Sequence, residues 1–306
     1  MRLLVVGAGS TGGYYGGRLA QAGRDVTFLV RPGRAAQLQK DGLQIVSPHG
    51  DVTLKPALLT ADRIDQPFDA IILTVKAYQL DAALDDMAKA VGPQTMILPV
   101  LNGMKHVDAI TARFGKAALI GGLCRIPAQL DEQGRVIQMG KFHDLAYGEM
   151  DGSSSARILA LDAVLKDAGF DAKLTPHIER EMWEKWTLLA ALGGLCCLMR
   201  GTVGEVAAAP GGTDFALGLI DEVVATVQAV GVAPSEAFVA NTRETLTKAG
   251  SAHTSSMYRD LLKGSAVEAD QIVGDLLARA RKAGLSTPLL SLAYTHLAVY
   301  QARLAK

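Results

Sequence analysis

The residues nearest the N-terminus carry the clearest chemistry in the chain. Gly7-Ala8-Gly9-Ser10-Thr11-Gly12 has the spacing G-x-G-x-x-G, directly after the apolar run Leu3–Val6 and at the start of a helical stretch. In that setting the first glycine permits a tight turn. The second lets backbone approach a pyrophosphate, and the third lets helix and strand pack closely. The helix N-terminus then offers free N–H groups and a positive dipole end to phosphates. An ordinary glycine turn is the plainer alternative, since the chain holds 32 glycines, but the place between strand and helix favours a dinucleotide site. The end of the second apolar run selects the cofactor. An NAD site usually carries an acid there for the ribose hydroxyls. Here Asp25 stands at the beginning of the run, and Arg31 occupies its end with Arg34 close by. Guanidinium suits a 2′-phosphate, so NADP(H) is the expected cofactor; a solvated loop arginine is the alternative.

Further candidates lie at other strand ends and on helices. Lys76 and Asn102 follow two more apolar runs, where open α/β sheets bind ligands. A surface charge and an Asn-Gly turn explain them equally well. Ile178, Met182, Lys185, Leu189, Leu192, Cys196 and Met199 recur at spacings of three and four, which predicts one apolar helix face with Lys185 inside it. Burial there would lower the lysine pKa and suit it to general acid work. The alternative is a stem that packs while the ammonium snorkels out and pairs with Glu181. Ser255 and Ser256 could cap a helix, and Glu268 alone reads as a solvated helical acid. Cys196 and Cys197 fall in an apolar run, where buried packing is the expectation. The six histidines show no zinc-ligand spacing, so no metal site is expected.

Up to about residue 130, strands expected at Leu3–Val6, 25–30, 70–75 and 96–101 alternate with helices expected at 11–22, 78–90 and 107–114. Near-continuous apolar strands alternating with helices predict a doubly wound parallel sheet. Runs at 119–126, 135–138 and 145–149 read as antiparallel strands added to that sheet, before a helix at 154–168 and a strand at 172–174. From His177 onward only helical patterns occur, at 177–199, 213–230, 234–249, 255–263, 267–283 and 288–304. The expected class is α/β: a Rossmann-type domain over 1–175 and an all-helical substrate and catalytic domain over 176–306. The balance of 31 basic against 31 acidic residues argues against nucleic acid or a membrane surface as partner. Three cysteines make no disulfide framework, and the longest uncharged apolar run, residues 186–199, is shorter than the about 20 a spanning helix needs. A soluble, cytoplasmic protein is the expectation.

Together these segments resemble the ketopantoate reductase (2-dehydropantoate 2-reductase) family along the whole chain. Gly7–Gly12 resembles its cofactor loop, and Arg31 with Lys76 resembles its 2′-phosphate and adenosine-side contacts. Leu101-Asn102-Gly103-Met104 is similar to its Asn-Gly-Met segment, and Glu181-Met182-Trp183-Glu184-Lys185 to the segment that carries its catalytic lysine. Ser255-Ser256-Met257-Tyr258-Arg259-Asp260 resembles Ser-Ser-Met-x-x-Asp, and Glu268 falls where the family has its active-site glutamate. The resemblance implies a helical domain like that of 6-phosphogluconate dehydrogenase, catalysis by Lys185 and Glu268, and cofactor contacts from Asn102 and Glu268. It also implies substrate contacts from Asn102, Lys185, Ser256 and the positions of Leu189 and Gly193, and a possible homodimer. The family usually presents asparagines four and eight residues after the lysine; here Leu189 and Gly193 stand there, leaving an aliphatic side chain and empty space. Each lost buried hydrogen-bond partner costs about 1–3 kcal/mol. Gly121-Gly122-Leu123-Cys124-Arg125 also departs from the family's threonine-rich stretch. Three functions follow: NADPH-dependent reduction of 2-dehydropantoate in pantothenate biosynthesis, the same reaction on a more apolar 2-oxoacid or ketone, or a non-catalytic NADP(H)-binding redox sensor.

Overall fold

The computed structural model describes residues 1–304. The chain forms two compact units. One comprises Met1–Leu101 with His106–Glu179; the other comprises Asn102–Lys105 with the chain from Arg180 onward.

In the first unit, β1 (Leu3–Val6), β2 (Val26–Leu29), β5 (Ala57–Leu59), β6 (Ala70–Leu73) and β7 (Met96–Pro99) form a parallel sheet in the order β5-β2-β1-β6-β7. Alternation along each strand feeds two cores: Leu3, Val5, Ala70 and Ile72 face one, while Leu4, Val6, Ile71 and Leu73 face the other. Burial on both faces explains why β1, β6 and β7 lack polar positions.

Contrary to the expectation from sequence, the later strands form separate sheets, and only Leu119 makes a single parallel bridge to Ile97 of β7. A second sheet joins β3 (Leu43–Val46), β4 (Val52–Leu54), β9 (Ala128–Leu130) and β10 (Val136–Gln138) in the order β4-β3-β10-β9. A third joins β8 (Gly121–Arg125), β11 (Asp144–Gly148) and β12 (Asp171–Leu174) in the order β12-β11-β8. Each mixes directions, since β10 lies parallel to β3 and β11 parallel to β12. Strands of three to five residues could not declare their partners from pattern alone.

The helix α1 (Ser10–Gln21) lies between the first two sheets, and its paired glycines allow this. A Cβ at Gly16 would stand 2.7 Å from the Phe28 ring of β2, and one at Gly17 2.7 Å from Ile45 of β3. Its Tyr14 hydroxyl lies 2.9 Å from His143 Nδ1, and the His143 ring stacks on His49 with centroids 3.7 Å apart. The remaining helices of this unit are α2 (Pro32–Asp41), α3 (Leu80–Asp86), α4 (Lys105–Phe114) and α5 (Ala156–Leu165).

The second unit is helical: α6 (Ile178–Met199), α7 (Val203–Ala208), α8 (Gly212–Val230), α9 (Glu236–Leu246), α10 (Ser256–Leu262), α11 (Asp275–Lys282) and α12 (Pro288–Leu304). Instead of one apolar face, α6 is buried on every side from Ala190 to Cys197, while Met199 is exposed. A helix apolar all round belongs in a core. The helical pattern expected over 267–283 contains a π-helical turn, Asp270–Gly274, ahead of α11. No described helix is long and apolar enough to cross a membrane.

Burial and the neighbouring His49 hold the His143 imidazole below its ordinary pKa, against the opposing pull of Asp171 and Asp144. The unfolded chain therefore takes up this proton first, and stability declines as pH falls through about 6.5 toward the depressed folded value. Calorimetric melting temperatures measured downward from neutral pH should show that decline, and His143→Gln should flatten it. An unchanged slope in the variant would assign the effect elsewhere.

Candidate functional site

The carboxyl ends of the parallel strands surround a cavity of about 580 Å³. Gly7–Gly9 follow β1, Val30 and Arg31 follow β2, Thr60–Asp62 follow β5, and Val75 follows β6, and all of them line it. Gly7 adopts φ +94°, a conformation open to glycine, and its N–H donates to the Leu29 carbonyl at 3.0 Å. A Cβ at Gly12 would lie 2.1 Å from the Gly7 carbonyl oxygen and 2.2 Å from Thr74 Oγ1. Thr74 itself closes the loop from the next strand, its hydroxyl 2.8 Å from the Val6 oxygen and 3.0 Å from that of Gly7.

At Gly9 a Cβ would meet nothing within 4 Å, so open space stands over the loop. Gly9 also precedes α1 without any side-chain cap, and the first turn, which begins with Ser10 and Thr11, holds no acidic residue. Uncapped N–H groups beside open space at the end of a 12-residue helix fit the phosphates of a dinucleotide.

The two arginines divide their work. Arg34 is half-buried; its Nε and one terminal nitrogen donate to the Ala8 carbonyl at 3.1 and 3.0 Å. It also donates to the Gly134 carbonyl at 3.0 Å and to Gln37 at 2.7 Å. Four of its five donors are thereby committed, so Arg34 braces the glycine loop instead of waiting for a phosphate. Arg31 is exposed at the cavity, as the residue before α2. Lys76 is exposed after β6 and does not line the cavity. Thr60, Asp62, Gln79 and Asp86 do line it, and sequence reasoning missed them. β5 is only three residues long, which left its end without a signal.

The second unit brings Asn102 and Glu268 together, 166 positions apart: the Asn102 amide donates to Glu268 Oε2 at 3.3 Å. Lys185 is half-buried on α6, and the next residue, Trp186, is 1% exposed. The Trp186 indole N–H donates to the Ile272 carbonyl at 2.8 Å, and the Ile272 N–H donates to the Glu268 carbonyl at 3.0 Å. Glu184, on the other side of Lys185, accepts from the Ser235 N–H and hydroxyl at 2.9 and 2.8 Å and so fastens the start of α9.

Leu189 is half-buried. The space expected above Gly193 is filled: a Cβ there would lie 2.6 Å from the Met257 methyl carbon. Of the two serines, Ser255 is the buried cap of α10, accepting from the Tyr258 N–H at 2.9 Å, and Ser256 is exposed. Burial raises both neighbouring thiols, Cys197 to about 12, so neither is a thiolate near neutral pH.

The family model described as "Ketopantoate reductase PanE/ApbA" matches residues 3–152, and that described as "Ketopantoate reductase PanE/ApbA C terminal" matches residues 177–301. The chain belongs to the ketopantoate reductase family. Membership makes it an oxidoreductase. It is similar to the uncharacterized oxidoreductase YkpB of Bacillus subtilis (strain 168), 36% identical over 302 residues that cover 99% of both chains. Among solved structures, the 2-dehydropantoate 2-reductase of Geobacter metallireducens GS-15 is 28% identical with a TM-score of 0.85, covering 98% of this chain and 99% of its own. A D-mandelate dehydrogenase in ternary structure with NADH and anilino(oxo)acetate superposes with a TM-score of 0.86 over 100% of both chains at 22% identity, which shows a shared fold.

Gly12 and Gly193 are both crowded but by different atoms, and this yields a test. Gly12→Ala must displace backbone, whereas Gly193→Ala must displace only the end of a flexible methionine. In urea unfolding Gly12→Ala is expected to cost about 1–3 kcal/mol and Gly193→Ala clearly less. Equal costs would mean that Met257 is as rigid as the loop.

Proposed function

We propose that the protein is an NADPH-dependent reductase of a 2-oxoacid, with 2-dehydropantoate as the first candidate substrate. The observation that carries this reading is the Asn102–Glu268 pair on the unit that also bears Lys185. A half-buried lysine, a carboxylate and an amide are what a small oxoacid needs for proton transfer and orientation. A redox sensor has no use for them.

The first unit is assigned to the cofactor and the second to substrate and catalysis, with the division near 175 in the chain. Ala8, Gly9, Ser10 and Thr11 would hold the pyrophosphate. Arg31 would bind the 2′-phosphate, since no acid stands at the end of β2. Asp62, the acid after β5, has its carboxylate engaged by the Thr60 hydroxyl, which holds its pKa low. Lys76 would remain an adenosine-side contact, exposed and outside the cavity lining. When bound, the nicotinamide supplies the hydride. Lys185 would donate a proton to the oxygen of the reduced carbonyl, and Glu268 and Asn102 would orient the ligand. Ser256, exposed at the start of α10, would meet the substrate carboxylate.

A second reading keeps the chemistry and changes the substrate. Along the helix from Lys185 the next two turns present Leu189 and then Gly193 beneath the Met257 methyl. This surface is apolar and offers no donor to a substrate hydroxyl, which favours a 2-oxoacid with a hydrocarbon side arm. A buried hydroxyl without a partner costs about 1–3 kcal/mol.

Lys185→Ala is expected to lower kcat by at least about a hundredfold while NADPH affinity, followed by nicotinamide fluorescence, stays within twofold or so. Full turnover in that variant would remove Lys185 from the mechanism. Arg31→Ala should weaken NADPH by about tenfold or more and leave NADH unchanged; equal losses would refute the 2′-phosphate assignment. Leu189→Asn should shift the kcat/KM ratio toward 2-dehydropantoate over 2-oxoisovalerate. A ratio that does not move would count against the apolar reading.

A further inference from the structure

Gln271 belongs to no motif, yet it is 4% exposed and is the second residue of the π-helical turn Asp270–Gly274, three residues after Glu268. A buried amide must find partners. Its Nε2 donates to the backbone carbonyl of Asn102 at 2.9 Å. Gly103 next to it has φ +76°, and a Cβ there would stand 2.6 Å from the Gln271 carbonyl oxygen. The Asn102-Gly103 backbone therefore rests directly on the turn, with a fit that only glycine permits and a side-chain donor that fastens it.

The turn is itself held from two sides. Trp186, adjacent to Lys185, donates to the Ile272 carbonyl at 2.8 Å. Tyr294 of α12 donates to Asp270 at 2.6 Å, and a Cβ at Gly274 would meet its ring at 2.6 Å. A π-turn widens the helix locally, and such turns recur at functional sites. Here hydrogen bonds of the turn join three groups: Trp186 next to Lys185 on α6, the Glu268 backbone, and the Asn102 loop.

We propose that Gln271 is a positioning residue: by fixing the Asn102 backbone on the π-turn, it holds the Asn102 amide against the Glu268 carboxylate. Gln271 acts through Asn102 and touches no reacting atom. The inference rests on the reading of Asn102 and Glu268 as the substrate-side pair. Other residues of the turn fix its place in the helical unit, whereas Gln271 fixes what the turn presents.

The test is Gln271→Met, which keeps length and apolar volume and removes the donor. The kcat/KM for the 2-oxoacid should fall roughly tenfold, with NADPH affinity unchanged. In a double-mutant cycle, Gln271→Met should cost nothing further in an Asn102→Ala background, because the effect runs through that amide. A merely structural role would lower the melting temperature and give multiplying losses in the cycle, and that result would overturn the proposal. A crystal structure of Gln271→Met supplies the readout independent of turnover. Separation of Asn102 Nδ2 from Glu268 supports the proposal, and an intact contact overturns it. If Asn102→Ala leaves oxoacid reduction unaltered, the substrate-side reading fails by itself, and the crystal structure still decides what Gln271 does.

Discussion

The closeness of α1 to the backbone beneath it is the constraint on which the first unit depends. The helix must lie against two sheets at once and still begin at the turn after β1. Two pairs of glycines meet this demand: Gly12 and Gly16 approach the parallel sheet, and Gly13 and Gly17 approach β10 and β3. Each interior glycine costs a helix up to about 1 kcal/mol relative to alanine, so the sequence retains a propensity penalty that packing must offset. The same closeness brings the N-terminal turn of α1 to the carboxyl edge of the sheet. Its geometry is then secured from outside, by Thr74 across the loop and Arg34 beneath it. Phosphate recognition by backbone N–H groups requires such rigidity, because the donors have no side-chain freedom with which to correct an error.

The helical unit solves the opposite problem. Its central helix is buried to hold the fold together and also carries charged side chains. α6 does so in sequence. Its first half carries Glu181, Glu184 and Lys185, all half-buried, and its stretch from Ala190 to Cys197 is enclosed. Lys185 thus stands where solvent access gives way to core. Trp183 and Trp186, with ring centroids 5.3 Å apart, supply bulk beside it. Glu184 is spent on the cap of α9, so an acid next to the lysine in sequence serves the fold.

What the sequence disclosed follows physical strength of signal. Four of the five parallel strands are legible because burial on both faces removes most of their polar residues, whereas the short, partly exposed β5 is not; the glycine loop is legible because only glycine satisfies several close approaches in one short turn. The two smaller sheets are not legible: β3, β4 and β9 give no strand signal, and β8, β10 and β11 read as additions to the parallel sheet, because pairing between distant short strands leaves no periodic trace. Arg34 shows a second limit. Residue type suited it to phosphate, but the Ala8 and Gly134 carbonyls claimed its donors, and Gly134 is 100 positions away. Gly193 shows a third, since an absent side chain implies space only if no neighbour fills it, and Met257 does. The resemblance implied a site role for Asn102 and for Glu268 separately, but not their contact; nothing local to either residue announces the other.

These limits bear on how function is inferred within a family. Cofactor recognition is written in backbone geometry, which motifs report well because few residue types can adopt it. In the proposed function, substrate recognition falls to side chains on a largely buried helix, where an exchange alters local polarity without disturbing the fold. Leu189 occupies the helix without strain, and Gly193 is accommodated by a flexible thioether that adapts to irregular space. Neither leaves a mark on the architecture. The chain shares its fold with a 2-dehydropantoate 2-reductase and a D-mandelate dehydrogenase to nearly the same degree, and a fold by itself does not choose among chemistries. One and two turns beyond Lys185 the helix presents hydrocarbon and sulfur, Leu189 and the Met257 methyl over Gly193, and under the proposed function that local polarity is what would choose the substrate.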